Sequence, residues 1–265
     1  MRVEFRSAPA DSGITFVRDD LGAAARVPAQ AENRTEVPRR TNLSYQGVQV
    51  DMVEHILATL AGLEIDNCDV GVDQIEMPGC DGSALEFVQA IDSVGTVEQH
   101  LAAPRLEVTE TVRHSFGDAW IEARPAHAGE YTVQFELEYP HDAVIGRQTA
   151  RMKVTPELFR REIAPCRTFV LEREAEEMVR RGLGKGVTPR DLLVFDDHGP
   201  INNRLRFPNE CARHKVLDVI GDMALTGCLV VGHIVAHRSG HRLHTALAGE
   251  LVARFKQKSS LRAGA

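Results

Sequence analysis

The sequence predicts an α+β fold in two domains, on three observations. First, 265 residues at 43% apolar and 26% charged can build two modest hydrophobic cores. Second, both halves mix runs that alternate apolar and polar residues with runs of helical spacing. Third, the small and polar stretch from Gly95 to Pro104 ends in proline and reads as a boundary, giving domains of residues 1–103 and 104–265.

Residues 1 to 50 hold short alternating runs, Val3 to Arg6, Gly13 to Arg18 and Val27 to Gln30, interrupted by Pro9, Asp11, Gly22 and Pro28; small strands are expected. From Asp51 the pattern changes. Val53, Ile56, Leu57, Leu60 and Ala61 repeat at helical spacing up to Gly62, with Asp51 placed to cap the start. Strands are expected at Cys68–Val72, Glu107–Thr111, Ala119–Glu122 and Tyr131–Tyr139. Pro156–Ile163 reads as a short helix, and Leu171–Arg181 as a longer one with Leu171, Ala175, Met178 and Val179 in one stripe, closed by Gly182, Gly184 and Gly186. A strand at Leu192–Phe195, a long helix from Asn209 to Leu225, a strand at Val230–His237, a Ser239-Gly240 turn and a last helix to about Lys256 complete the chain.

Charge narrows the partners. With 31 basic against 38 acidic side chains the net charge is −7, which offers no general attraction to a phosphate backbone, so no nucleic-acid partner is expected. The longest charge-free stretch, Met223 to Ala236, is too short to cross a bilayer and contains two glycines. The opening Met-Arg-Val-Glu-Phe-Arg alternates like a strand and lacks the apolar core of a signal peptide, so a cytoplasmic protein is expected. Five cysteines without metal-ribbon spacing read as reduced, mostly buried small hydrophobes.

Chemistry concentrates in the histidines. His214, Asp218 and Asp222 follow one another at four-residue steps, which places them on nearly one helix face. An imidazole and a carboxylate at that spacing are a zinc-type ligand pair, and equally a surface His-Asp pair beside a solvated acid. Glu54 and His55 are adjacent in the first turn of the other strong helix, so their side chains diverge by roughly 100° and one can hold a metal while the other reaches its water. The alternative is a capping box from Asp51 to Glu54, with His55 a hydrogen-bonded core residue. His233, His237 and His241 would align on a helix, but the β-branched residues around them and Ser239-Gly240 favour strand and turn. His241 then opens the last helix, where a titrating ring can project into a cleft, and His244 is its neighbour there.

Together these residues spell a family. Val53-Glu54-His55, Ala61-Gly62-Leu63-Glu64-Ile65-Asp66-Asn67 and Pro78-Gly79-Cys80-Asp81-Gly82-Ser83-Ala84 resemble the first half of bacterial UDP-3-O-acyl-N-acetylglucosamine deacetylases. Ala164-Pro165-Cys166-Arg167-Thr168-Phe169, the run Arg213-His214-Lys215-Val216-Leu217-Asp218-Val219-Ile220-Gly221-Asp222 and Arg238-Ser239-Gly240-His241 are similar to the second half, in order.

The resemblance implies a zinc hydrolase of lipid A biosynthesis that removes acetate from UDP-3-O-(3-hydroxyacyl)-N-acetylglucosamine. The implied fold has a small, mostly antiparallel sheet on two helices in each domain, with the helices sandwiched between the sheets. The implied ligands of one Zn²⁺ per chain are His55, His214 and Asp218, with an open fourth position. The implied chemistry is a water acidified from a pKa of about 15.7 toward about 7 that gives its proton to Glu54 and attacks the amide carbonyl. Thr168 is implied to donate to the oxyanion, and His241, kept protonated by Asp222, to stabilise it and protonate the leaving amine.

Lys215 is expected at the polar or phosphate part of the UDP-linked substrate. Phe169, Leu171, Ala175, Met178, Val179 and Leu183 are candidates for an acyl channel, although such a stripe equally serves a core. A monomer is expected.

The sequence also departs from the family. Met52 stands where Ser or Thr commonly precedes Val-Glu-His, Val170-Leu171 replace a Gly-Phe of some members, and His244 replaces a common Asn. The chain starts at Arg2-Val3-Glu4-Phe5, just after the family's usual first strand, so either a first sheet short of one edge or a misassigned start codon is expected. Two alternatives follow: a related metal amidohydrolase acting on another N-acetylated amphiphile, and a catalytically silent ligand-binding paralogue. A binder has no need of a proton acceptor beside a metal, which argues against the second.

Overall fold

The computed structural model describes residues 1–127, 129–139, 144–180 and 191–263. The first half opens with strands β1 (Val3–Ser7), β2 (Ile14–Arg18), β3 (Arg26–Pro28), β4 (Arg34–Thr35), β5 (Asn42–Tyr45) and β6 (Val48–Asp51). Helix α1 (Glu54–Gly62), strand β7 (Cys68–Val72) and helix α2 (Leu85–Val94) follow. The second half runs β8 (Arg105–Glu107), β9 (Val112–Phe116), β10 (Ala119–Arg124), β11 (Tyr131–Glu138), β12 (Arg147–Lys153), α3 (Pro156–Leu158) with a wider π turn over Phe159–Ile163, and β13 (Phe169–Leu171). It ends with α4 (Glu172–Arg180), β14 (Leu193–Phe195), α5 (Glu210–Met223), β15 (Leu229–His237) and α6 (His241–Ala263).

The architecture is α+β in two domains. In the first, β1-β7-β2-β3 form one sheet, antiparallel except where β2 runs parallel to β7, and β4-β5-β6 form a small antiparallel one. In the second, the order is β12-β11-β15-β10-β9, with β8 added on β15; β13 and β14 pair separately and in parallel. Period-two burial is clearest on β11, where Val133, Phe135 and Leu137 face inward and their neighbours outward.

Helices α1 and α5 lie at the centre. Nearly every residue of both is buried, including Glu54, His55, Glu210, His214, Asp218 and Asp222, so neither has a broad solvent face. On one side α5 packs against β11 and β12, and on the other against α1 and α6. The α1–α5 crossing is unusually close because position 221 is glycine: a Cβ there would stand 2.1 Å from the backbone oxygen of Glu54. Gly62 similarly admits the ring of Phe159, whose nearest atom would lie 2.2 Å from an added Cβ.

Several expectations shift. Asp51 ends strand β6 and the cap position falls at Val53, so α1 begins two residues later than expected. The strand expected at Glu107–Thr111 lies earlier, at Arg105–Glu107, where β8 pairs with β15. Leu171 closes β13 instead of opening the next helix, and α6 runs past Lys256. Helix α2 was not anticipated, although Phe87, Val88 and Ile91 mark its buried face and Gly95 ends it.

Candidate metal centre

The first pair of functional side chains is set by a sharp reversal. Strand β6 ends at Asp51, Met52 takes a left-handed conformation (φ 61°), and Val53 N–H donates to Thr41 O at 3.0 Å, so Glu54 and His55 open α1. The expected capping role of Asp51 does not hold: its carboxylate accepts from Gln49 Nε2 at 2.7 Å. Nor does Glu54 complete a capping box, because its Oε2 accepts from the N–H of Thr41 at 3.1 Å. Both Glu54 and His55 are buried.

On α5, His214, Asp218 and Asp222 share the buried face expected from their spacing. His214 Nδ1–H donates to the carbonyl of Cys166 at 3.0 Å, which leaves the Nε2 lone pair free. Nε2 lies 3.3 Å from Asp218 Oδ1, and His55 Nε2 lies 3.8 Å from the same oxygen. The other oxygen, Oδ2, accepts from Lys215 Nζ at 2.6 Å. Lys215 therefore pairs with Asp218 here.

The ligand atoms of His55, His214 and Asp218 all fall within 4.8 Å of one another. Two donors bound tetrahedrally at about 2.0–2.1 Å stand about 3.3 Å apart, so the residues fit one ion. Their protonation fits as well. Burial, reinforced by the neighbouring His214, pushes His55 down to about 3, leaving a neutral imidazole. Burial works against the charge on Asp218, but Lys215 and His214 outweigh it and hold the carboxyl well below its usual range.

A second group, Asp222, His241 and His244, has ligand atoms as close together. Its spacings differ in kind. Asp222 Oδ2 is 2.8 Å from both His241 Nδ1 and His244 Nδ1, which is the length of a bond with a proton between the atoms. Ser239 Oγ–H completes the line by donating to His244 Nε2 at 2.8 Å, and Thr41 Oγ1–H donates to Asp222 Oδ1 at 2.6 Å. Burial opposes ionisation of Asp222, yet His241 and His244 pull it down to about 2. In turn Asp222, with Asp218 and Glu54 adding to it, overcomes burial and lifts His241 to about 9. Burial lowers His244, against the pull of Asp222. Glu54 is pushed up to about 7, chiefly by burial and further by Asp218 and Asp222, with His241 opposing.

His233 and His237 lie on β15, and the His237 ring stacks on Trp120 with centroids 5.9 Å apart, so neither joins the cluster. His244 is more than a helix neighbour: it is fully buried and bonded to Asp222. Thr41 was not anticipated, and nothing in its local sequence marks it; its partners Glu54 and Asp222 lie 13 and 181 residues away.

Thr168 follows the Cys166 carbonyl that holds His214 and precedes Phe169, whose ring stands edge-on to His214 at 6.4 Å. Its N–H donates to Gly82 O at 2.7 Å, so the Asp81-Gly82-Ser83 loop of the first half braces the segment that leads into β13. Among the described residues the Thr168 hydroxyl makes no hydrogen bond. Arg167 anchors the same segment to α5 through Glu210, with Nε–Oε1 at 2.8 Å and Nη2–Oε2 at 3.1 Å. Of the acyl-channel candidates, Leu171 is buried, Phe169 and Ala175 are half-buried, and Val179 is 58% exposed. Met178 lies on α4. Leu183 lies outside the described residues.

Comparison with known proteins gives the family of the chain. Residues 1–253 match the model of the family described as UDP-3-O-acyl N-acetylglycosamine deacetylase, LpxC. The chain is 42% identical over 247 residues to the UDP-3-O-acyl-N-acetylglucosamine deacetylase of Anaeromyxobacter sp. (strain Fw109-5), covering 93% of this chain and 80% of that protein. It is 40% identical over 247 residues to that of Anaeromyxobacter dehalogenans (strain 2CP-C), covering 93% and 79%. Against that of Brucella ovis the identity is 36% over 240 residues, covering 90% and 83%.

Proposed function

The chain belongs to the UDP-3-O-acyl N-acetylglycosamine deacetylase family, and from that membership we propose that it hydrolyses the acetamide of a UDP-3-O-acyl-N-acetylglucosamine in lipid A biosynthesis, releasing acetate and a free amine. The observation that carries this reading is the buried meeting of Glu54 and His55 from α1 with His214 and Asp218 from α5. Water, a base and a cation site are what hydrolysis of an unactivated amide needs.

His55, His214 and Asp218 would hold the cation, and two imidazoles with one carboxylate suit zinc, one per chain. When bound, it supplies positive charge that acidifies an attacking water and polarises the amide carbonyl. Glu54, held at about 7, takes the proton of that water near neutral pH. His241, held at about 9, is a cation over the same range. It faces the developing oxyanion and passes its Nε2 proton to the leaving nitrogen, while Asp222 fixes its Nδ1 side. The Thr168 hydroxyl is the second donor to the oxyanion. Lys215 balances the charge of Asp218 and would meet the polar end of the substrate, and Phe169, Leu171, Ala175 and Val179 would line its acyl side.

The domain boundary of this reading is at 103/104, in the stretch between α2 and β8, which carries neither helix nor strand. No described helix is long and apolar enough to cross a membrane. All five cysteines are free, as a reducing cytoplasm would leave them.

The test is direct. Purified protein is expected to release acetate from UDP-3-O-acyl-N-acetylglucosamine and to hold about one zinc per chain. His214→Ala should lose most of both. Glu54→Ala should keep the zinc and lose about 10²–10⁴ in kcat. Turnover of other N-acetylated amphiphiles but not of the UDP-linked one would reassign the substrate, and full turnover by Glu54→Ala would remove the proposed base.

A further inference from the structure

Thr41 has zero exposure and precedes β5, on a segment that contributes no metal ligand. It makes three hydrogen bonds, and each ends on a different part of the catalytic apparatus. Its N–H donates to Glu54 Oε2 at 3.1 Å, its carbonyl accepts from Val53 N–H at 3.0 Å, and its hydroxyl donates to Asp222 Oδ1 at 2.6 Å. Helix α1 has no side-chain cap of its own at Val53, so the backbone of Thr41 stands in for one.

The proton acceptor and the carboxylate behind the proton donor come from different domains, and among the described residues Thr41 alone hydrogen-bonds both side chains. We infer that Thr41 is a positioning residue that locks Glu54 and Asp222 into one geometry, so that the two ends of the proton path are held in register across the domain junction. This rests on the function proposed above. It goes further in naming a residue that neither touches substrate nor binds the cation.

The chemistry of the three bonds explains the residue type. An Asp222 carboxylate with His241 and His244 both on Oδ2 still has Oδ1 to satisfy, and an unmet buried carboxylate oxygen lets the group rotate about its terminal bond. A hydroxyl from Thr41 fills that position at charge-assisted length. Valine has the same shape and keeps the backbone bonds to Glu54 and Val53, so Thr41→Val deletes the link to Asp222 alone.

The experiment compares the zinc-loaded wild type with Thr41→Val, Thr41→Ser, Asp222→Asn, Glu54→Ala and the Thr41→Val/Asp222→Asn double variant. For Thr41→Val, kcat should fall about 10- to 100-fold, the loss that follows a misplaced catalytic group, with KM within roughly twofold. Zinc content should be unchanged. Thr41→Ser, which restores the hydroxyl, should recover most of the kcat. In the Asp222→Asn background Thr41→Val should cost almost nothing further, because its partner is already altered.

Wild-type kcat in Thr41→Val overturns the inference, as does a loss confined to KM, a serine variant no better than valine, or full additivity with Asp222→Asn. Should Thr41→Val fail to fold, the wild-type hydroxyl proton decides: slow exchange by NMR supports a buried bond to Asp222, and fast exchange overturns it. Full activity in Glu54→Ala would instead remove the underlying functional reading, whatever Thr41 does.

Discussion

Replacing Gly221 with alanine tests whether the α1–α5 crossing builds the metal centre. The added Cβ would stand 2.1 Å from Glu54 O and 3.2 Å from Ala58 N, both backbone atoms that cannot swing aside. Ordinary contact begins at 3.4 Å, so the helices must part by about 1.3 Å at this point. His214 and Asp218 move together because both ride on α5, but His55 moves with α1. The His55 Nε2–Asp218 Oδ1 separation, 3.8 Å in the native protein, would open to about 5 Å, whereas two ligands of one zinc cannot stand more than about 4.3 Å apart. Gly221→Ala is therefore expected to lose His55 as a ligand and to weaken zinc binding more than the roughly 10- to 100-fold that follows loss of a ligand's supporting hydrogen bond. Overpacking should add about 1–3 kcal/mol of destabilisation. Metal analysis after dialysis against a zinc buffer reads the first effect and thermal unfolding the second. Gly249→Ala is the control, since its Cβ would meet only Ala31 Cβ at 3.9 Å in the middle of a helix. A Gly221→Ala protein with full zinc, full turnover and unchanged unfolding would refute the reasoning.

Two further outcomes follow from the charged pairs. His241, raised to about 9 by Asp222, is the cation below that pH and loses its proton above it, so kcat should fall as pH rises through about 9. In Asp222→Asn the main raising influence is gone, and the alkaline fall should move down by about one to three pH units; an alkaline limb that stays in place would mean another group controls it. Arg167→Met leaves the Glu210 carboxylate, at 0% exposure, with only the backbone N–H groups of Arg167 and Arg206. That should cost about 3–5 kcal/mol in a urea titration, and Arg167→Met combined with Glu210→Met should recover much of it. If the single variant is as stable as wild type, the pair does not hold the Arg167–Thr168 segment against α5.

The parts of the site that were legible in the sequence are those governed by local periodicity. His214, Asp218 and Asp222 repeat every four residues among apolar neighbours, and that spacing alone puts them on one face. Adjacent Glu54 and His55 at a helix start were equally visible. What lay beyond reach depends on distant contacts: Asp51 resembled a cap until β6 paired with β5 and absorbed it, and Thr41 gained its role only from partners elsewhere in the chain. His244 was visible at helical spacing from His241, but its bond to Asp222 needed α6 to dock on α5. Strand β12 escaped for another reason. Its Arg-Gln-Thr-Ala-Arg-Met-Lys sequence buries only Ala150, and it becomes a strand because β11 offers it an edge.

The four-residue step from Asp218 to Asp222 also explains why one helix can serve two chemical tasks. It advances about 6 Å along α5, so in the proposed function Asp218 serves the cation site while Asp222, one turn on, serves the proton donor. His241 closes that gap from the other side: Nδ1 is anchored on Asp222 at 2.8 Å and Nε2 points back to within 4.0 Å of Asp218 Oδ2. In the proposed function its acidic proton is thereby carried toward the cation site, with His241 acting as donor and not as ligand. An amide hydrolase must deliver a water to the carbonyl carbon and a proton to the nitrogen bonded to it, two atoms much closer together than one helical turn. An aspartate at both steps, with an imidazole folded back between them, converts the helical repeat into that shorter distance. Moving the acid to Asp218 would put it in competition with the cation for one carboxylate, and dispensing with His241 would leave Asp222 a full turn from the reaction.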